Sequence, residues 1–240
     1  MNLEIEEIMQ GLYIQLIFIV VSYIIGSIPW ALIIGKLVKG IDIREHGSKN
    51  MGATNTFRVL GFKWGLLVFA LDAIKGGIIL FIMKHNFFNF DLQPYDLGSF
   101  TIPVFNPLVY GAFAFLGHLF PIFAKFKGGK GMATASGIVL FYHPIAFVCG
   151  LITFLIVIIL SKFVSLSSVV TGLAVLVAAI LWNKDIYFII ILVFINIFLI
   201  IKHIPNFKRI INHTESKINF KAINDPHLPA FVSEDEEKNK

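Results

Sequence analysis

Apolar residues fill this chain in seven long runs, which short polar segments separate. The runs cover residues 12–35, 64–83, 105–124, 131–142, 145–160, 168–182 and 186–201. A helix needs about 20 apolar residues to cross a bilayer, and in lipid its backbone polar groups are bonded within the helix itself. The runs lack the alternation of a membrane β-barrel. The pattern predicts an all-α, polytopic integral membrane helix bundle with about seven transmembrane helices, of which 131–142 is short for a full crossing.

The composition indicates the same class of protein. Of the 240 residues, 57% are hydrophobic and 15% are charged, and the mean hydropathy is +0.81. These values exclude an ordinary soluble globule. Residues 1–224 are predicted to form one transmembrane domain, and residues 225–240 a charged, disordered cytoplasmic tail. No basic residue precedes Lys36, so the first helix lacks the pattern of a cleaved signal peptide and we expect it to be retained.

Basic residues mark one side of the predicted bundle. With the N-terminus outside, the loops after helices one, three, five and seven hold the basic C-terminal region and Lys36, Lys39, Arg44, Lys49, Arg58, Lys63, Lys125, Lys127, Lys130 and Lys162. The opposite loops hold Lys84 and Lys184. Because cytoplasmic loops are enriched in Lys and Arg, we predict a cytoplasmic C-terminus. The net charge of +5 is thus distributed by membrane side, and nucleic-acid binding is not expected.

Three polar clusters on the predicted cytoplasmic side are candidates for chemistry. They are HGSKNMGATN at 46–55, KFKGGKGMAT at 125–134 and KHIPNFKR at 202–209. Glycine allows backbone N–H groups to approach an anion, and concave sets of such groups bind phosphate. Arg44 and Arg58 flank the first cluster, and guanidinium matches phosphate with paired donors. The alternative is an ordinary cytoplasmic turn whose basic residues serve topology alone.

The GGKG sequence at Gly128–Gly131 follows the third run and is predicted to open the fourth helix. Its amides would then lie at a helix N-terminus, where the helix dipole favours an anion, and Lys130 would add a charge. The spacing GxxxxGK[ST] of a Walker A loop is missing, so no nucleotide site is inferred. A plain flexible turn is the alternative.

The third cluster and a serine-rich loop add hydrogen-bonding groups. His203, Asn206 and Arg209 recur at a spacing of three, which on a helix places them along one stripe, although Pro205 could kink or restart that helix. The loop before the sixth helix offers Ser161, Ser165, Ser167 and Ser168. Helix capping is the default interpretation of each serine, and phosphate donation is the alternative.

Two charged residues lie deep within the second run. Asp72 and Lys75 are one helical turn apart, and buried charges in a membrane are costly unless they are paired. We predict an ion pair, which is either structural or part of a substrate-site wall. His118, near the end of the third run, is interpreted as a packed structural histidine.

The polar clusters together resemble the sequence elements of the bacterial acyl-phosphate:glycerol-3-phosphate acyltransferase family, often called PlsY. The resemblance is carried by GSKNMGATNxxR at 47–58, GHxxPxxxxFKGGKGxAT at 117–134, SLSS at 165–168 and KHxxNxKR at 202–209. Shorter matches are SIP at 27–29, DIR at 42–44 and DxxKG at 72–76. The chain departs from the family pattern at Lys49, Met51, Pro205, Phe207 and His213.

This resemblance implies transfer of a fatty acyl group from acyl phosphate to the 1-hydroxyl of sn-glycerol 3-phosphate. The products would be lysophosphatidate and inorganic phosphate. The resemblance implies catalytic roles for Lys130, His203, Asn206 and Glu215. It implies substrate binding by Ser27, Arg44, Ser48, Asn50, Gly52, Ala53, Thr54, Asn55, Arg58, Gly128, Gly129, Gly131, Ser167, Ser168, Lys208 and Arg209.

Residue chemistry suggests a separate role for each of these groups. Lys130 and the Gly128–Gly131 amides would hold phosphate and stabilise the leaving group, while Arg58 and its neighbours would bind the other phosphate. The proton acceptor is either His203 or a phosphate of the substrate. Acyl phosphate is already activated, so no enzyme nucleophile is required. No histidine is followed by aspartate at the fifth position, so the HxxxxD pair of acyl-CoA-using glycerophosphate acyltransferases is missing.

Two other functions stay open from the residues alone. A transporter or channel for an organic phosphate would also use basic loops and an intramembrane ion pair, and a noncatalytic scaffold could recruit partners through the same loops. We expect no cofactor, no metal, no nucleic acid and no obligatory protein partner. The expected partners are acyl phosphate, sn-glycerol 3-phosphate and membrane lipid. The expected location is the bacterial cell membrane, with the active site on the cytoplasmic side.

Overall fold

The computed structural model describes residues 2–88, 95–96, 101–102, 105–183, 185–223 and 228–232. Within them, nine α-helices follow in chain order: α1 (Asn2–Gly26), α2 (Trp30–Lys39), α3 (Ala53–Leu60), α4 (Phe62–Lys84), α5 (Leu108–Leu119), α6 (Met132–Tyr142), α7 (Pro144–Ser161), α8 (Val164–Ala178) and α9 (Ile186–Ile211). A π-helical turn, Ala179–Asn183, extends α8. Short 3₁₀ helices lie at Ile43–Glu45, Ile122–Ala124 and Phe220–Ile223.

Two small antiparallel hairpins accompany the helices. Strand β1 (Tyr95–Asp96) pairs with β2 (Thr101–Ile102), and β3 (Lys217–Ile218) pairs with β4 (Phe231–Val232). In the second hairpin Lys217 lies opposite Val232, and Ile218 opposite Phe231. Part of the predicted tail therefore has a defined position, since β4 lies within it. The remaining tail residues, 225–227 and 233–240, lie outside the described residues.

Each of the seven predicted apolar runs is helical over most of its length. Five stretches of the described chain are long and apolar enough to cross a bilayer: Met9–Lys39, Phe62–Lys84, Pro144–Ser161, Val164–Trp182 and Ile186–Ile211. Two apolar stretches are shorter, Leu108–Ala124 and Met132–Tyr142. The predicted helical class is confirmed, while seven full crossings and the outside N-terminus stay predictions.

The first apolar run is divided rather than continuous. Helix α1 ends at Gly26 and α2 begins at Trp30, because Pro29 lacks the N–H that a continuing helix would use. The break leaves the carbonyl of Ile28 available, and it accepts a hydrogen bond of 2.8 Å from Lys75 Nζ. The same ammonium lies 2.7 Å from Asp72 Oδ1, which confirms the predicted ion pair. This buried pair therefore ties α4 to the break between α1 and α2.

Close helix contacts place α4 and α6 side by side at the centre. A Cβ added at Gly137 of α6 would lie 1.8 Å from the carbonyl oxygen of Ala73 of α4, so this crossing requires glycine. Lipid is as apolar as the helix surfaces, so the hydrophobic effect does not drive helices together in a membrane, and small residues promote association by allowing close packing. Leu80, Phe115, Ile138 and Leu192 then form a core that joins α4, α5, α6 and α9. The polar loops at one end of these helices are held by this core.

Two local expectations from the sequence need correction. The N-cap of α8 is Phe163, so Ser165, Ser167 and Ser168 lie inside the first turns of the helix and do not cap it. A hydroxyl within a helix can bond the carbonyl four residues earlier, and Ser167 does so with Phe163 at 2.8 Å. Helix α9 continues through Pro205 to Ile211, so the proline does not restart it.

Candidate active site

A cavity of about 1370 Å³ lies among α3, α4, α6, α7, α8 and α9. One end is polar and holds Arg58, Lys130, His203 and Glu215. The other part is apolar, with Phe147, Leu151, Leu155, Val175 and Leu192 among its lining residues. Leu151 and Leu155 are about half exposed on the outer helix α7, where lipid would surround them. The cavity thus joins an ionic compartment to a surface suited to an acyl chain.

Asn55 organises the first polar loop from within. Its Nδ2 donates to the carbonyls of Ile43 at 2.9 Å and His46 at 3.0 Å, and its Oδ1 accepts from the Ser48 amide at 2.8 Å. Gly47 has φ +59°, and a Cβ there would lie 2.4 Å from Asn55 Oδ1. Asn55 is fully buried and does not line the cavity. Its contacts therefore shape the loop, whereas Ser48 and its neighbours reach the cavity.

Arg58 lies in the last turn of α3 and lines the cavity. Its guanidinium lies over the ring of Phe231, 4.6 Å from the centroid, and its buried Nε has no hydrogen-bond partner. Burial lowers the pKa of Arg58, and Arg209 adds to this decrease while Glu215 opposes it. Arginine remains protonated despite such shifts. Arg58 is therefore a cation at the cavity wall whose buried Nε–H has no partner within the described protein.

The GGKG segment packs closely onto the end of α5. A Cβ at Gly129 would lie 2.3 Å from His118 Nε2, and one at Gly128 would lie 2.1 Å from the His118 carbonyl. Gly131 has φ +89° and is the N-cap of α6, as the sequence predicts. His118 is buried beside Asp72, with Nδ1 3.7 Å from Asp72 Oδ1. Gly128 and Gly129 are thus required here for close packing onto the end of α5.

Lys130 projects into the cavity and donates a short hydrogen bond to Asn206 Oδ1 of α9. Burial lowers the pKa of Lys130 to about 8; Glu215 opposes the decrease, and the nearby cations Arg209 and Arg58 add to it. Asn206 in turn donates to Glu215 Oε1 at 2.6 Å. A neutral amide therefore lies between the ammonium and the carboxylate.

Glu215 ties α8 and α9 together at the polar end. Its Oε1 also accepts from the Ser165 hydroxyl at 3.1 Å, and its Oε2 lies 2.7 Å from Arg209 Nε. His203 is buried one turn before this network on α9. Its Nδ1 lies 2.8 Å from the Leu199 carbonyl, which can only accept, so Nδ1 carries the proton. In the neutral ring Nε2 is then left with a lone pair that can accept a proton.

The structure brings most of the predicted site residues to this one cavity. Those that line it are Ser48, Asn50, Gly52, Ala53, Thr54, Arg58, Lys130, Gly131, Ser168, His203, Asn206, Arg209 and Glu215. The predicted stripe of His203, Asn206 and Arg209 is confirmed, because all three line the same cavity. Their individual roles in binding and catalysis stay predictions.

Seven predicted site residues do not line the main cavity: Ser27, Arg44, Asn55, Gly128, Gly129, Ser167 and Lys208. Ser27 is buried at the end of α1, where its hydroxyl donates to the Tyr23 carbonyl. Arg44 forms a two-point pair with Asp42, with Nη2 2.6 Å and Nε 3.0 Å from its carboxylate. This pair lines a separate pocket of about 460 Å³ and lowers the pKa of Asp42 to about 2.

Several cavity residues were absent from the sequence-based site. Thr171 and Gly172 of α8 line the cavity together with Ser168 and with Ser165, which the sequence offered only as a cap or a phosphate donor. Their helical spacing could have indicated one shared face. Leu228–Phe231 also line it, and no sequence pattern indicates that contact. Among the described residues, no group of three or more His, Cys, Asp or Glu side chains could hold a metal ion.

The family model for glycerol-3-phosphate acyltransferase matches residues 16–213, which include the three polar clusters and most of the cavity lining. The chain belongs to the glycerol-3-phosphate acyltransferase family. A glycerol-3-phosphate acyltransferase of Bacillus velezensis is 47% identical over 204 residues, covering 85% of this chain and 97% of that relative. One from Geobacillus kaustophilus is 40% identical over 204 residues, covering 85% and 96%.

Solved structures extend this family assignment to the fold. This chain superposes with a TM-score of 0.77 on the crystal structure of PlsY (YgiH), an integral membrane glycerol 3-phosphate acyltransferase, in its glycerol 3-phosphate form. It is 30% identical in sequence, and the match covers 88% of this chain and 98% of that chain. The lysophosphatidic acid form of PlsY gives a TM-score of 0.74. The chain is therefore a membrane enzyme of the acyltransferase family, and the transporter and scaffold alternatives are set aside.

Proposed function

We propose that this acyltransferase moves a fatty acyl group from acyl phosphate to the 1-hydroxyl of sn-glycerol 3-phosphate. The products are 1-acyl-glycerol 3-phosphate and inorganic phosphate, in an early step of phospholipid synthesis. The observation that carries the proposal is the joining of a cationic compartment to an apolar slot in one cavity. A similar protein with a glycerol 3-phosphate form and a lysophosphatidic acid form supports the acceptor and the product.

The polar end of the cavity suits two phosphate-bearing reactants. Lys130 and Arg58 approach from different elements, and the α6 N-terminus at Gly131 adds backbone N–H groups. Preorganised donors of this kind stabilise charge that develops on a leaving phosphate. The acyl chain then extends along Leu151 and Leu155. We assign the cationic end to the phosphates and the apolar slot to the chain.

The transfer itself needs one bond made and one broken. The 1-hydroxyl oxygen attacks the acyl carbonyl carbon, the new ester C–O bond forms, and the bond from that carbon to the phosphate oxygen breaks. The hydroxyl proton passes to His203 Nε2 or to a phosphate oxygen of a substrate, and inorganic phosphate leaves. The Nδ1–H bond to Leu199 supports the first route, because it leaves Nε2 as an acceptor.

The decisive assay supplies the purified protein with labelled glycerol 3-phosphate and either acyl phosphate or acyl-CoA. We expect labelled lysophosphatidate with acyl phosphate and none with acyl-CoA. Product from acyl-CoA alone, or no product from either donor, would reject the proposed reaction.

We further propose that the site lies on the cytoplasmic side of the bacterial cell membrane. The Lys and Arg residues of the loops that line the cavity support this orientation. In a Cys149→Ser background, the variant Lys127→Cys should react with a membrane-impermeant thiol reagent only after the cells are opened. Labelling of intact cells would contradict the orientation.

A further inference from the structure

The C-terminal region folds back over the polar end of the cavity. We call residues 217–223 and 228–232 the strap. The amide of Ile218 donates to the Lys162 carbonyl at 2.9 Å, which attaches the strap to the turn between α7 and α8. Within the strap, Asn219 donates to the carbonyls of Ala230 at 2.9 Å and Pro229 at 3.0 Å. Leu228–Phe231 consequently form part of the cavity wall.

The strap lies beyond the part of the chain that the family model matches. That match ends at residue 213, whereas the strap begins at residue 217. The match therefore describes the helices and the polar clusters but not the Phe231 contact. A role for the strap must be argued from its own contacts.

The contact between Phe231 and Arg58 is the strongest link from the strap to the site. A cation over an aromatic face is attracted by the ring quadrupole, and the 4.6 Å separation is within the favourable range. Stacking uses the face of the guanidinium and leaves its N–H edges for hydrogen bonds. This matches the buried Nε of Arg58, which has no hydrogen-bond partner. Phe231 therefore holds the cation without occupying the Nε–H that an anion would use.

No carboxylate of the neighbouring network holds Arg58 in the same way. Glu215 accepts from Ser165, Asn206 and Arg209, and these bonds occupy both of its oxygens. An arginine side chain that is free to rotate loses substantial conformational entropy when it binds a ligand. A ring that already fixes the guanidinium reduces this cost. The contact should consequently act on substrate affinity more than on the chemical step.

We infer that Phe231 is a positioning residue, whose ring orients Arg58 to bind the phosphate group of a phosphate-ester or acyl-phosphate substrate. This inference rests on the proposed function for its substrates. Its geometry is specific to an aromatic ring, so a branched aliphatic side chain of similar bulk cannot replace it.

The test compares five full-chain proteins: the wild type, the variants Phe231→Ala, Phe231→Leu and Phe231→Tyr, and one control variant. Phe220→Ala is the matched control, because Phe220 is an exposed phenylalanine of the same strap that does not line the cavity. For each protein, kcat and the KM values for glycerol 3-phosphate and acyl phosphate are measured. Binding of inorganic phosphate is measured separately by calorimetry, which does not depend on turnover.

We expect Phe231→Ala to raise one of the two KM values about fivefold, which corresponds to about 1 kcal/mol, and to weaken phosphate binding similarly. The kcat value should stay within about twofold. Phe231→Leu should share the defect, Phe231→Tyr should restore both values, and Phe220→Ala should match the wild type.

Other outcomes would overturn the inference. Unchanged KM and phosphate binding in Phe231→Ala, full function in Phe231→Leu, or an equal defect in Phe220→Ala would each remove the role of the ring. A wild type without acyl transfer would reject the proposed reaction instead, and phosphate calorimetry on the variants would still decide the inference. A wild type that also fails to bind phosphate would reject both.

Discussion

Replacing Lys130 by methionine removes the ammonium group and keeps an unbranched side chain of similar length. The lost group lines the cavity beside Asn206 and at the start of α6. Removal of one donor that stabilises transition-state charge costs about 3–4 kcal/mol in enzymes, or about 100- to 1000-fold in kcat. We expect Lys130→Met to lower kcat by at least about tenfold, because water entering the cavity can replace part of the lost stabilisation.

The pKa of Lys130 gives this prediction a second readout. At a pKa of about 8, the ammonium form makes up about nine-tenths of the free enzyme at pH 7 and about one-tenth at pH 9. Under the proposed role of Lys130 the protonated form is the active one, so kcat/KM should fall about tenfold over this interval as the pH rises through the pKa. Arginine stays protonated at both pH values, so Lys130→Arg should be slower overall but flat between them.

The assay measures labelled lysophosphatidate at several pH values, with a blank for spontaneous hydrolysis of acyl phosphate. Lys127→Met is the control, because Lys127 is an exposed lysine of the same loop that does not line the main cavity. It should keep both the wild-type rate and the wild-type pH profile. A Lys130→Met rate within threefold of the wild type, or the same decline above pH 8 in Lys130→Arg, would refute the reasoning.

The remaining predictions concern three other parts of the structure. His203→Gln should lower kcat by at least about 100-fold if Nε2 accepts the proton of the glycerol hydroxyl. Slower turnover with an unchanged pH profile would instead favour a substrate phosphate as the proton acceptor. Asn55→Ala should lower the free energy of unfolding, measured in detergent micelles, by at least about 2 kcal/mol, because it leaves buried loop carbonyls without donors. Asn50→Ala should instead reduce phosphate affinity and leave the free energy of unfolding unchanged. Asp72→Asn should lower stability, because it leaves the buried Lys75 ammonium without its counter-charge, and the double variant Asp72→Asn with Lys75→Met should restore stability. If the double variant also regains activity, the pair is structural. If the double variant is stable but inactive, the pair forms part of the wall of the substrate site.

The helices were predictable because lipid imposes a simple demand on the sequence. Backbone groups within a bilayer have no water to bond, so long apolar runs form helices whatever their partners are. The break at Pro29 has an equally local cause, the missing proline N–H. Pro205 shows the limit of this rule, since α9 continues through it. Whether a proline ends a helix depends on the contacts around it, which a local pattern does not contain.

The loop residues were harder to assign because their roles depend on where each side chain points. Asn50 and Asn55 look alike in the sequence, yet Asn50 lines the cavity while Asn55 is buried and bonds to its own loop. In the same way Ser168 lines the cavity, whereas the adjacent Ser167 does not. The residue at which α8 begins determines which of these serines faces the cavity. A motif therefore locates a site to within a turn, and the fold decides which neighbour reaches it.

The arrangement of Lys130, Asn206 and Glu215 has a consequence for anion binding. A carboxylate in direct contact with Lys130 would neutralise the ammonium and would compete with a phosphate for it. Here the amide of Asn206 is interposed: its Oδ1 accepts from Lys130 while its Nδ2 donates to Glu215. The carboxylate is further occupied by Arg209 at 2.7 Å. Glu215 is thus linked to the ammonium through a neutral group, and under the proposed reaction this arrangement would leave the lysine charge for a phosphate.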